Sequence, residues 1–190
     1  MVSGVTDEGG LRRRLEHMVC STYNEIMKNP AFAALHDGKV TINPNPPAGW
    51  VNDAVWLDFY IQTGRYVKAT VGTLNATYDS LSNHPNRAYK DTIAPHFRRH
   101  AKGEQTNGKG HEEMVYRDIR NGGYDLERAI QTYGAVEPVI NYIERAAVRS
   151  RNPEYAIGTL AEALILEGLA KKFAGKFARN FAQNSDHPNR

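Results

Sequence analysis

The run WVNDAVWLDFYIQTGRYVKATVGTLNATYDSL, residues 50–81, decides the fold class. Its valines, threonines and tyrosines carry strand propensity, so residue by residue it resembles sheet. Its spacing argues for helix. Apolar side chains recur at 51, 55, 56, 59, 60, 66, 67, 71 and 74, which does not alternate, and the run exceeds any ordinary strand. The stretch therefore predicts one buried helix interrupted near Gly64, or two helices in tandem. Asp58, an acid among apolar neighbours, is expected to be a hydrogen-bonded helix carboxylate, because a buried charge needs a partner.

Outward from this run the chain reads as further helices. Leu11 to Lys28 sets apolar residues at 11, 15, 18, 19, 23, 26 and 27, an amphipathic pattern that Asn29-Pro30 ends. In the connection NPAFAALHDGKVTINPNPPAGW, residues 29–50, one helical turn over 31–36 is expected, stopped by Gly38. No strand pair is expected there, since KVTIN has no evident partner. SNHPNR at 82–87 reads as a loop, and its echo in SDHPNR at 185–190 is too short to be a repeat architecture.

Helical character resumes over 89–100, and Gly122-Gly123 closes the helix that follows the central polar segment. Residues 125–134 form a short helix capped by Asp125, residues 136–149 another, and residues 153–181 one long helix with apolar positions 155, 157, 160, 164, 166 and 169. The expected architecture is all-α, a compact bundle of six to eight helices. It spans residues 11–181, between a flexible N-terminus at 1–10 and a flexible tail at 182–190.

Composition narrows the function classes. A chain of 190 residues, 41% hydrophobic and 24% charged, can bury a core without staples and offers no transmembrane run. MVSGVTDEGG lacks the apolar region of a signal peptide, and the single cysteine suits a reducing compartment, so a cytoplasmic protein is expected. Cys20 falls in the apolar pattern of the first helix and is expected to be a structural thiol. The net charge of +3 is mild, and no stripe interleaves basic and aromatic residues, which disfavours nucleic acid as a partner.

Chemistry-bearing side chains concentrate in residues 94–125, APHFRRHAKGEQTNGKGHEEMVYRDIRNGGYD, which hold three of the seven histidines. Glu104 and His111 stand seven residues apart, about two helical turns, so one helix would point both the same way, with Glu112, Glu113 and Asp118 just beyond. Imidazole and carboxylate from facing helices are the donors a non-heme metal centre needs. A third donor is expected from the last helix. Glu167, in the apolar LILEG, is preferred over Glu162, which alanines flank and solvent can hold. The plain alternative is a solvated helix-loop-helix in which Glu104 and His111 have no ligand role.

HAKGEQTNGKGHEEMVYRDI, with Glu-x6-His followed by Asp118 and a Gly-Gly stop, resembles the central motif of the heme-oxygenase-like superfamily. The likeness is to its dimetal oxidase and oxygenase branch, related to the TenA and PqqC folds. NPAFAALHDGKV resembles that family's short helix and turn, and AVEPVINYIERAAVRSRNPEYAIGTLAEALILEG its penultimate helix, loop and acid-bearing core helix. The resemblance covers residues 11–170. It implies that Glu104, His111 and Glu167 are metal ligands, that two irons are the cofactor, and that dioxygen is the cosubstrate. The substrate it implies is a small molecule such as an amine, amino acid or fatty acid.

Two features depart from the family's pattern. The family usually adds a motif His-x3-Asp-x2-His on a further helix, whereas that spacing here offers Asn180, Asn184 and His187. The site is therefore expected to be incomplete, its third motif lying beyond Arg190 or lost. TNGKG, between the two central ligands, holds two glycines that disfavour helix by about 1 kcal/mol each, so a bulge or broken turn is expected there. Two other functions stay open. One is a heme-binding or heme oxygenase-like protein, for which His17 is the candidate axial ligand; the other is a metal-free helical binding or dimerisation module, working as a homodimer. Thiaminase-like chemistry is disfavoured, because Cys20 does not match that branch's nucleophile.

Overall fold

The computed structural model describes residues 8–105 and 110–186, and among these the fold is all-α. In chain order the elements are α1 (Glu8–Ile26), α2 (Pro30–His36), β1 (Val40–Thr41), β2 (Val51–Asn52) and α3 (Asp53–Ser82). A π-helical turn (Ala88–Ile93) then runs into α4 (Ala94–Glu104), followed by α5 (His111–Asn121), α6 (Leu126–Thr132), α7 (Glu137–Ser150) and α8 (Pro153–Asn184).

The deciding run is one unbroken helix, not two. The Asn52 side chain caps α3 by accepting from the Ala54 N–H. The threonines that lend the run its strand character are absorbed by the helix itself. The hydroxyls of Thr63, Thr70, Thr73 and Thr77 each donate to the carbonyl four residues earlier. Gly64 does not interrupt α3; it is buried where the Tyr116 ring of α5 occupies the space a β-carbon would take.

α3 is the axis of the molecule and packs against α4, α5, α6, α7 and α8. Two apolar cores lie along it. The first gathers Leu35, Val40, Trp56, Leu57, Ile61, Ile119 and Phe177, and the second Leu74, Leu81, Ala94, Phe97, Ala101 and Ala156. Between Ile61 and Leu74 the helix carries Tyr66, Lys68, Thr70 and Thr73, so a polar seam separates the cores.

The connection after α2 departs from expectation. Val40 and Thr41 pair in parallel with Val51 and Asn52. Two residues per strand leave no alternation to detect, and such a ladder is not stable alone. It persists because α8 is strapped across it. The Ser185 hydroxyl and the Asp186 N–H donate to the Val40 carbonyl at 3.0 and 3.3 Å, and the Thr41 hydroxyl donates to the Asp186 carboxylate at 2.7 Å. The Asn180 and Asn184 amides donate to the carbonyls of His36 and Asp37 at 2.9 and 2.8 Å, capping the C-terminal end of α2. Gly38, at φ +68°, lies against the backbone of Asn180 and Phe181, where a β-carbon would collide.

Both terminal helices extend past their expected limits. α1 begins at Glu8 and α8 continues to Asn184. Val19 of α1 fits against Gly168, and the Lys172 ammonium lies over the Tyr23 ring, so α1 and α8 run in the same direction. The buried face of α8 is rotated from the expected one: Tyr155 and Leu164 are 58% and 47% exposed, while Ala156, Thr159 and Phe177 are buried. α1, α2, α3 and α7 pack on α8, and their combined footprint, not its own apolar spacing, sets that face. Cys20 is exposed and not the structural thiol expected, because its neighbour Val19 is the residue turned toward α8. No helix among the described residues is long and apolar enough to cross a membrane.

A candidate histidine and glutamate site

Glu104 and His111 meet, but not on one helix. α4 ends at Glu104 and α5 starts at His111, with residues 106–109 outside the described part. Gly110 sits directly on the Glu104 carbonyl, where any β-carbon would collide, so only glycine lets the chain return this closely. The return places His111 Nδ1 2.9 Å from Glu104 Oε1.

A second imidazole reaches the same oxygen. His100 precedes Glu104 by four residues on α4, one turn away on the same face, and its Nε2 lies 3.3 Å from Glu104 Oε1. Glu167 approaches from α8, its Oε1 3.9 Å from that Nε2. The carboxylate of Glu104 is the buried member, its side chain 8% exposed against 40% for His100 and 54% for His111. The buried carboxylate thus lies under two more exposed imidazoles, within ion-pair distance of both.

Sequence reasoning thus placed Glu104, His111 and Glu167 in one neighbourhood and passed over His100, although its four-residue spacing from Glu104 was a usable signal. The preference for Glu167 rested on a burial it does not have: its side chain is 58% exposed. Glu162, expected in solvent, is the more enclosed of the two and pairs with Arg149 of α7. The acids after His111 are engaged elsewhere, Glu112 with Lys68 at 3.6 Å and Glu113 with Arg120 at 2.9 Å.

A mostly apolar cavity of about 30 Å³ lies between α3, α7 and α8, lined by Leu74, Ile143 and Leu166 and by the polar Tyr66, Tyr142 and Glu162 among others. It is large enough for an ordered water. Burial pushes the Tyr66 and Tyr142 phenols up from their ordinary value. The charges of Glu167 and Glu162 both add to the Tyr66 shift.

The positions of the family's third motif serve a different purpose. Asn180 and Asn184 cap α2, about 20 Å along α8 from Glu167; His187 lies outside the described residues. His17 is exposed on α1. Among the described residues no group of three or more histidine, cysteine, aspartate or glutamate side chains is set to hold a metal ion. Compared with known proteins, the chain matches no family model, no curated protein and no solved structure.

Proposed function

We propose that the chain is a non-heme iron oxidoreductase of the heme-oxygenase-like kind, acting with dioxygen on a small molecule, and that His100 joins Glu104, His111 and Glu167 at its centre. The observation that carries this reading is the meeting of two imidazoles on one buried carboxylate, with a second carboxylate at the rim. Two histidines and a carboxylate are the donor composition of single-iron sites that activate oxygen. Paired-iron sites in helical bundles draw on six such side chains, and the described residues bring four together, so the proposal is one iron where the resemblance implies two.

Ferrous iron, if held by these residues, would bind and activate dioxygen, and the small-molecule substrate being oxidised would supply the electrons that one iron cannot. The chain's own residues hold and poise the site. Glu104 anchors both rings, and Gly110 fixes where His111 stands. A ring nitrogen must be bare to hold a cation, so cation and proton compete and binding weakens as pH falls. Anaerobic titration with Fe(II), followed by elemental analysis, is expected to show one iron per chain, lost in Glu104→Gln and in His111→Ala. Absence of stoichiometric iron at pH 7.5 would sink the proposal.

A metal-free helical binding or dimerisation module is the second reading. It is favoured by the cluster itself, whose imidazoles and carboxylates lie within ion-pair distance of one another. A protein that takes up no iron and sediments as a stable dimer supports it.

A further inference from the structure

An open groove of about 430 Å³ runs between the end of α1, α2 and the start of α3, within the size range of small-molecule sites. Its walls are apolar and aromatic, with Ile26, Phe32, Leu35 and Phe59 among them, and two carboxylates, Glu25 and Asp58, also line it. The aromatic wall is fixed from behind. Phe32 and Phe59 stand edge to face at 5.9 Å, and both rings pack on Phe173 of α8, at 4.6 and 5.8 Å.

The two carboxylates differ. Glu25 is paired with Lys28 at 2.6 Å. Asp58 accepts one hydrogen bond from the Gln62 amide at 2.9 Å, and among the described residues no lysine, arginine or histidine forms an ion pair with it. A half-buried carboxylate beside aromatic rings repels anions and lacks a counter-ion, and the faces of phenyl rings attract a cation as well. We propose that this groove binds an organic ammonium ion bearing an apolar or aromatic group, with the ammonium at Asp58 and the apolar body against Phe32 and Phe59. The groove opens at the first turns of α3, about 12 Å along that helix from Tyr66, so it stands whether or not the histidine and glutamate cluster takes a metal.

The test is calorimetric titration of the full chain with 2-phenylethylamine and, separately, with 3-phenylpropionate and 3-phenylpropanol, which share its ring but not its charge. Saturable binding of the amine is expected, at least tenfold tighter than either control and weakened by salt. Asp58→Asn should lower amine affinity tenfold or more and remove the preference over the alcohol, while Glu25→Gln changes it less than threefold. Val55→Trp, at an exposed position on the groove wall, should block all three compounds while the helical circular dichroism is retained. Equal binding of amine, acid and alcohol, binding unchanged in Asp58→Asn, or no saturable binding of the amine would each overturn the proposal.

Discussion

Two polar constellations lie along α8, and they are built on opposite plans. Near its C-terminal end Asn180, Asn184 and Ser185 donate to the carbonyls of His36, Asp37 and Val40. About 20 Å back along the helix, Glu167 faces His100, which with His111 contacts Glu104. At the first place amide and hydroxyl donors meet backbone acceptors, and none of those groups changes charge near neutrality. At the second, imidazoles and carboxylates face one another, and only these are side chains of the kind that ligate a metal ion. A sequence scan for acids and histidines finds the second and is blind to the first.

The largest effect should come from breaking the first constellation at its narrowest point. Gly38→Ala meets both a left-handed backbone and the chain of Asn180 and Phe181. A loss on the order of 3 kcal/mol is expected, combining the left-handed penalty with overpacking, read as a lower urea midpoint. Iron uptake by whatever remains folded should be unchanged.

Gly110→Ala breaks the second constellation in the corresponding way, by pressing a β-carbon on the Glu104 carbonyl. Here the backbone is not left-handed (φ −62°), so overpacking alone counts and a smaller cost of roughly 1 to 2 kcal/mol is expected. Iron uptake should be lost although the fold survives. Loss of iron in Gly38→Ala, or its retention in Gly110→Ala, would erase the distinction between scaffold and site.

The smallest effect, absent at neutral pH, sharpens the comparison by touching both regions alike. Tyr60 and Tyr124 lie in the core beneath the amide clamp, and Tyr66 and Tyr142 line the cavity between α3, α7 and α8. Burial is the leading cause that raises all four phenols above the ordinary value of 10.0, and for Tyr124 the hydrogen bond it donates to Asp53 adds to it. A phenol raised in the folded chain ionises first in the unfolded chain. The stabilisation is therefore complete below pH 10 and is lost as pH rises above it. Thermal midpoints between pH 9 and 11 should fall, and should fall less steeply in either Tyr124→Phe or Tyr142→Phe.

Much of the fold was legible because long helices announce themselves. Residues 53–82 carry enough apolar positions at helical spacing to outvote their threonines and valines, and caps such as Asn29 and Asp125 stand where their helices begin. The strand pair was not legible, since two residues hold no period and the strap from Ser185 and Asp186 comes from 145 residues away. The site was legible in part. Glu104 and His111 were found, but by a one-helix geometry that the chain does not use; Gly110 and the break bring them together. Glu167 was chosen for burial and qualifies by position, because exposure on a helix packed by several others is decided by those neighbours and not by local apolarity.

The parallel packing of α1 on α8 also sets an order of events at the ribosome. Val19 and its partner Gly168 are 149 residues apart (168 − 19), so α1 emerges on the order of ten seconds before its partner helix. Through that interval the side of α1 bearing Leu15, Val19 and Tyr23, and the β1 segment that waits for Ser185, have no docking surface on α8. The first helix of such a nascent chain waits for its packing partner until residues near 168 have been made.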